Sequence, residues 1–282
     1  MSKKNKITLS GNFIYVCILF VSINIINTHG FAQKNELGLF FGTSYYIGDL
    51  NPSRQFALPQ MAIGAIYRFN VNEHVAFRIN GILGSVAGDD ARIKYNENRN
   101  LSFRSIIMEA SLQTEVNFKY FEPGDMGTPS TPYLFVGGGM FRFNPQAQLD
   151  GQWYDLRPHG TEGQGTVRYP ERKPYSLYSY NVLFGLGYKF NITRDITGAF
   201  EWGLRRTGTD YLDDVSSTYP HPNAFENNQI ALALYDRSIE NRGENTNFQR
   251  GNPNTNDWYS FAGIILTYKI SNLTRQKCPA YN

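Results

Sequence analysis

The sequence has little cysteine, with Cys17 and Cys278 as the only two among 282 residues. Cys17 lies in an apolar run, residues 13–26, that follows three lysines and precedes the small residues Gly30 and Ala32. That order is the pattern of a secretory signal peptide, which we predict over residues 1–32. The exported chain then keeps a single cysteine, which excludes an internal disulfide.

The exported chain also lacks an excess of charge of either sign. The first 32 residues carry three lysines and no acid, so the 24 basic residues that remain equal the 24 acidic ones. Nucleic-acid binding depends on a basic surface that neutralises phosphates. Nucleic acid is therefore not expected as a partner.

After the signal peptide there is no run of about 18 apolar residues, so no membrane-spanning helix is predicted. Residues 105–120 instead alternate between apolar side chains and side chains that include Glu109, Glu115 and Lys119. Strict alternation is typical of a strand with two unlike faces. Soluble strands usually run about five or six residues, whereas a membrane-spanning strand needs about 9–11. The stretch favours a barrel wall, with a long strand of a soluble sandwich as the alternative.

The same pattern predicts an all-β fold, an eight-stranded antiparallel transmembrane β-barrel over residues 33–270 in the outer membrane of a Gram-negative bacterium. Its connections alternate between short turns, which we expect in the periplasm, and long polar extracellular loops. An even number of strands would place both termini of the barrel on the periplasmic side, with residues 271–282 as a periplasmic tail. The eight predicted strands are residues 36–47, 60–69, 75–88, 103–121, 132–143, 177–190, 196–212 and 258–270.

Four of these strands end with a cation between apolar or aromatic residues: Arg68, Lys119, Lys189 and Lys269. Alternation predicts that the four cations form an inward ring at the periplasmic mouth and that the aromatic residues face lipid. An eight-stranded barrel is just wide enough for side chains to fill. We therefore predict a plug of paired charges and no pore, with inward glycines at positions 38, 42, 64, 84, 138, 185, 187 and 203 making room for it. The other lumen charges predicted from parity are Glu36, Arg78, Glu109, Glu115, Arg142, Glu201 and Arg205.

The sequence offers little that is typical of an active site. His74, His159 and His221 show no metal-ligand spacing, so neither a metal nor a cofactor is predicted. An enzyme site at the outer rim, of a protease or a lipid-modifying enzyme, could be formed by Asp210, Asp213, Asp214 and His221, joined by Asp89 and Asp90. The alternative is that these acids are solvated residues that cap the starts of loops, and we do not expect an enzyme.

Two long loops, residues 144–176 and 213–257, carry aromatic and apolar residues such as Trp153 and Leu234. Solvated loops would not need such anchors. The loops are therefore expected either to fold back over the barrel as a lid or to present a surface to a partner.

Six runs in or beside the predicted loops carry a resemblance to a known family. They are YYIGDL (45–50), NRNLSFRS (98–105), GTEGQG (160–165), TDYLDDVS (209–216), QRGNPN (249–254) and DWY (257–259). Together, in this order, they resemble the PorG-type outer-membrane proteins of the type IX secretion system of Bacteroidetes. The resemblance implies a non-enzymatic role that links a periplasmic ring of PorK- and PorN-like subunits to the outer membrane during protein transport and, in gliding species, motility.

A ring would meet the barrel at its periplasmic face. We hypothesise that this docking face includes the cation ring, the turn residues Asn72 and Asp195, and the tail residues Cys278 and Tyr281. The other partner implied is outer-membrane lipid. A general outer-membrane binding or stability protein is the remaining alternative to a secretion component.

Overall fold

The structure, a computed structural model, describes residues 34–225 and 228–270. The predicted signal peptide and the predicted tail, with Cys278 and Tyr281, lie outside the described residues. Ten strands are present: β1 (Lys34–Ile47), β2 (Gln60–Asn70), β3 (Val75–Asp89), β4 (Ser102–Asn117), β5 (Ser130–Arg142), β6 (Pro145–Leu149), β7 (Gln152–Asp155), β8 (Tyr178–Asn191), β9 (Ile196–Thr207) and β10 (Trp258–Ile270). Helices are short: Asp90–Ile93, Gln229–Leu234 and the 3-10 turns Arg157–His159 and Pro222–Phe225. In these ranges no helix is long and apolar enough to cross a membrane.

Eight of the strands form a closed antiparallel barrel. Each of β1–β5 and β8–β10 pairs with its neighbour along the chain, β5 pairs with β8, and β1 pairs with β10 to close the ring. The predicted eight-stranded antiparallel barrel is therefore confirmed. We call the end with the connections 71–74, 118–129 and 192–195 the turn end, and the end with the long connections the loop end.

Two strands end earlier than predicted, and one hairpin was not predicted. β4 stops at Asn117 and not at residue 121, and β9 stops at Thr207 and not at residue 212. The Thr207 hydroxyl lies 2.7 Å from the Thr209 carbonyl and 2.8 Å from the Asp257 carbonyl, so it can donate to either, and the chain turns away from the wall there. β6 and β7 form a hairpin inside the predicted loop 144–176 and extend the sheet beside the loop end of β4.

The barrel wall is apolar on the outside. Leu37, Leu39 and Phe41 on β1 are each at least half exposed, and the outward residues of the other seven barrel strands repeat this pattern. On β4 the outward Ile106, Met108, Leu112 and Val116 alternate with buried polar residues. The barrel strands run 11 to 16 residues, which is long enough to cross a bilayer.

The long loops fold over the loop end and pack on one another. A single apolar cluster continues from the lumen residues Phe141 and Phe261 into the loop residues Leu101, Leu212 and Leu234. The helix Gln229–Leu234 contributes buried residues to this cap. Of the two alternatives for the loops, the structure shows the self-packed lid.

Candidate functional site

Glu115 is the centre of an ion-pair network in the lumen near the turn end. Its buried carboxylate lies 3.1 Å from the Arg68 guanidinium, 2.9 Å from Arg78 and 2.6 Å from the Lys189 ammonium. Arg68 also pairs with Glu36 at 3.0 Å, and Arg78 also pairs with Glu201 at 2.6 Å. Buried charges are tolerated when they are paired, and each charge of this network lies beside at least one opposite charge.

A second group lies higher in the lumen, around Glu109. The carboxylate is 3.3 Å from Arg205, accepts a hydrogen bond from Tyr259 at 2.7 Å and accepts one from the Asn181 amide at 3.1 Å. Among the described residues, four buried carboxylates therefore face four buried cations in the lumen, and these eight side chains carry no net charge together. They are Glu36, Glu109, Glu115 and Glu201, with Arg68, Arg78, Lys189 and Arg205.

Two predicted lumen residues lie elsewhere. Arg142 is exposed on the outer wall, because on β5 the inward side chains are Tyr133, Phe135 and Phe141. Gly138 shares the outward parity of Arg142. The prediction was wrong on this strand because both of its faces are apolar, so alternation did not identify the inward face.

The predicted inward ring of four cations is also incorrect. Lys119 follows the end of β4 and is exposed, and Lys269 is partly exposed, donating to the Arg194 carbonyl at 2.8 Å. Arg68 and Lys189 are completely buried, which leaves them no surface to offer a partner.

At the turn end, two other predicted docking residues help to form the turns or lie on them. The Asn72 side-chain oxygen accepts from the backbone amides of His74 and Val75 at 2.9 and 2.8 Å, which fixes that turn. Asp195 is exposed, 3.9 Å from the Lys269 ammonium. The exposed charges of this face include Lys119, Arg194, Asp195 and, in part, Lys269.

In the cap, two buried arginines tie the loops together. Arg99 holds Asp90 through two hydrogen bonds of 2.7 and 2.8 Å and donates to the carbonyls of Asp49 and Arg250. Arg250 in turn pairs with Glu162 at 3.2 Å. Four loops therefore meet at these two side chains.

Tyr46, Asp213 and Asp257 form a buried trio beneath the cap. The Tyr46 hydroxyl lies 2.5 Å from one Asp213 oxygen and 3.1 Å from one Asp257 oxygen. The second oxygens accept backbone amides, from Val215 and Leu212 respectively, each at 2.9 Å. A phenol donates only one hydrogen, so both contacts are hydrogen bonds only if one carboxyl carries a proton. Burial and mutual repulsion with neighbouring acids raise the pKa of both aspartates well above the usual range.

Two further cap acids titrate above their ordinary range. Burial raises the pKa of Asp210 to about 7, and among the described residues neither of its buried carboxylate oxygens has a hydrogen-bond partner. Burial raises the pKa of Asp214 to about 6, opposed by the Arg250 charge and by hydrogen bonds from Thr161 and Tyr175. The cap therefore holds protons at mildly acidic pH.

The acids proposed for a rim enzyme are not solvated loop caps, with one exception. Asp90, Asp213 and Asp214 are buried, whereas Asp89 accepts a hydrogen bond from the Arg92 amide and caps the helix Asp90–Ile93. The His221 ring nitrogen accepts from the Asn223 amide. The structure thus does not bring His221 into hydrogen bonds with these acids. Within the described ranges, no group of three or more His, Cys, Asp or Glu side chains is arranged to hold a metal ion.

The six sequence runs of the resemblance converge in this cap. Each contributes a buried residue to it, namely Tyr46, Arg99, Glu162, Asp213, Arg250 and Asp257. Sequence reasoning noted the runs but did not predict that Arg99, Glu162 and Arg250 would be bonded to one another. Only the presence of charged residues within otherwise apolar or glycine-rich runs could have suggested it.

A closed antiparallel wall that is apolar outside, with a lumen filled by ion pairs, defines a membrane-type β-barrel without an open channel. The chain belongs to the family described as a domain of unknown function, DUF6089, whose profile matches residues 12–159, more than half of the sequence. No curated protein sequence matches the chain.

Solved structures of similar topology are small bacterial barrels. Ail, the attachment invasion locus protein of Yersinia pestis, aligns with a TM-score of 0.41 and 8% identity over 85% of this chain and 100% of that chain. Neisserial surface protein A aligns with a TM-score of 0.39 and 8% identity, over 85% and 98%. The N-terminal barrel domain of Pseudomonas aeruginosa OprF aligns with a TM-score of 0.36 and 10% identity, over 84% and 99%. TM-scores this low do not support any conclusion about this chain, and the barrel assignment rests on its own strand pairing.

Proposed function

We propose that this protein is an outer-membrane component of the type IX protein secretion machinery of Bacteroidetes. In this role it is a non-enzymatic anchor that links PorK- and PorN-like ring subunits to the outer membrane. The observation that carries the proposal is the convergence of all six runs of the resemblance on one bonded cap. That runs from separate loops build a single unit supports the resemblance to the PorG-type proteins on which the proposal rests.

The outer wall supports the membrane location. Exposed apolar patches of more than a few hundred Å² are rare on soluble monomers, whereas here the apolar band passes around all eight strands. The signal peptide predicted from the sequence accounts for export, and closed barrels are the β-structures that can cross a bilayer. The turn end then faces the periplasm.

The filled lumen supports a role carried out by surfaces. Ion pairs and aromatic side chains occupy the space through which a solute would pass. The rim-enzyme alternative gains no support, because His221 is not hydrogen-bonded to the buried acids of the cap. The turn end carries the exposed charges Lys119 and Asp195 that a periplasmic ring would meet.

The test is a pull-down of the tagged protein from its own membranes in mild detergent, with mass spectrometry of what is retained. Recovery of ring subunits is expected, and recovery should fall when Lys119 and Lys269 are both changed to glutamate. The matched control changes Arg168 and Lys173, which are exposed at the loop end, and should leave recovery unchanged. If the intact barrel is reproducibly recovered without ring subunits, the secretion role is rejected and a general outer-membrane binding protein is favoured.

A further inference from the structure

Three arginines face outward near the loop end of neighbouring strands. Arg104 on β4, Arg142 on β5 and Arg206 on β9 are all exposed, and β8 lies between β5 and β9 in the barrel. We call this part of the wall the arginine face. The outward side chains of β4, β5, β8 and β9 include these three cations and, along these four described strands, no carboxylate.

The register brings Arg142 and Arg206 within the span of one large headgroup and leaves Arg104 outside it. Arg142 lies opposite Met108 of β4 and Tyr178 of β8, and Arg206 lies opposite Val182 of β8. With strands about 4.8 Å apart and a rise of about 3.4 Å per residue, the Arg142 backbone lies about 14 Å from that of Arg104 and about 17 Å from that of Arg206. Arg104 and Arg206 lie on opposite sides of Arg142 along the strands, eight residues and three strands apart, or about 31 Å. One headgroup can therefore span Arg142 and Arg206, whose long side chains shorten the distance between the charged groups, but not all three arginines.

These cations are available to a ligand. Among the described residues, Arg142 and Arg206 form no ion pair, and Arg104 contacts uncharged groups, the Gln146 amide oxygen at 3.1 Å and the Trp153 ring at 3.6 Å. An arginine on a lipid-facing wall costs about 2–4 kcal/mol at the midplane and about 0–1 kcal/mol near the interface. Their place is therefore the headgroup region, where the arginine fork matches phosphate oxygens.

An apolar groove lies below the arginines on the same strands. It has a volume of about 600 Å³ and is lined by residues that include Val136, Phe184 and Trp202. Gly138, which has no side chain, stands on the outward face of β5 between Arg142 and this groove. Tyr178 and Tyr180, both more than 60% exposed, flank the path on β8. The face thus combines phosphate-binding cations above with room for acyl chains below.

We propose that the arginine face binds a phosphate-bearing glycolipid of the outer leaflet. The headgroup phosphates pair with Arg142 and Arg206, which lie beside the groove, and an acyl chain passes Gly138 into it. This inference rests on the outer-membrane location in the proposed function and does not depend on the secretion role. It also predicts that the side of the barrel formed by β4, β5, β8 and β9 binds lipid, because the outward arginines of the barrel strands are confined to these four. The other four strands would then be free to contact neighbouring proteins.

Native mass spectrometry of the detergent-purified full chain, titrated with purified lipid A, tests the proposal. Wild-type protein should hold one lipid, and the variant R142Q/R206Q should bind it at least about tenfold more weakly, since charged hydrogen bonds are lost. The control R54Q removes an exposed arginine of the loop 48–59 and should bind as wild type. G138L fills the path without changing charge, and an added Cβ there meets only the Asn181 carbonyl at 3.4 Å, so it should fold and also bind more weakly.

Heat-dependent gel migration establishes that each variant is a folded barrel before its binding is measured. Equal lipid binding by the double variant and the wild type would overturn the proposal. So would equal binding of phosphatidylglycerol and lipid A, which would indicate charge attraction alone. If the double variant loses lipid but still recovers the ring subunits, the lipid site is supported independently of the secretion role. Absence of the wild-type protein from outer-membrane fractions would instead reject the proposed function.

Discussion

Replacing Glu115 by glutamine removes the charge on which three buried cations converge. Its carboxylate lies within 3.1 Å of Arg68, Arg78 and Lys189. Both arginines keep a second carboxylate, whereas Lys189, within the described residues, keeps only aromatic neighbours such as the Tyr133 ring at 4.4 Å. Leaving a buried charge without its partner costs about 3–5 kcal/mol. We expect E115Q to lower the free energy of unfolding by that amount.

The assay is urea unfolding of the purified barrel in detergent micelles, followed by tryptophan fluorescence and by gel migration. The matched control is E97Q, because Glu97 is exposed, and its effect should stay within about 0.5 kcal/mol. The double variant E115Q/K189M removes the unpaired cation as well and should recover part of the loss. If E115Q unfolds at the same urea concentration as the control, the lumen ion pairs do not stabilise the barrel and this reasoning is refuted.

Three further predictions concern the lumen and the cap. In planar bilayers the purified protein should pass no current above the lipid background, because side chains fill the lumen; steady single-channel steps would contradict this. The cap should be most stable near pH 4 and lose stability as the pH rises to about 7. The folded pKa values, about 7 for Asp210 and about 6 for Asp214, exceed the ordinary value of 3.8. Between these pH values the folded state therefore holds protons that the unfolded state has released. Amide exchange across residues 208–257, corrected for intrinsic rates, measures this; D210N should flatten the dependence, and a pH-independent cap would contradict it. R250K should destabilise the cap by about 1–3 kcal/mol, since lysine cannot reproduce the arginine contacts with Glu162 and the Asp214 carbonyl. Limited proteolysis should then cut the cap of R250K faster than that of R168K, a control at an exposed arginine. Equal cleavage rates would count against the role of Arg250.

The strands that sequence alone predicted best are those with unlike faces. On β4 the outward Met108 and Leu112 alternate with the inward Glu109 and Glu115, so both the element and its orientation could be read. On β5 aromatic residues fill the lumen while aliphatic residues face outward. Both faces are then apolar, and alternation gives the strand without its orientation. Arg142 was misplaced for that reason.

The cap could not be derived in the same way. Arg99 and Glu162 both meet Arg250, although each pair lies more than 80 residues apart in the chain. Loops have no periodicity that reports on burial, and charged residues are mostly exposed. The buried contacts arise only when four loops fold together, so they depend on tertiary structure that local sequence does not encode.

The pairing of β1 with β10 places a condition on how the barrel assembles. These are its first and last strands, and they pair over residues 35–47 and 258–270. Until β10 is in place, β1 and β9 each present an unpaired edge, and Glu36 lacks the Thr267 hydroxyl that donates to it in the closed ring. Bringing these ends together closes a loop of more than 200 residues, which makes this contact slow to form. A chain interrupted before Trp258 would therefore stay an open sheet with two unpaired edges that can pair with other chains. The barrel can close only after the final strand is complete.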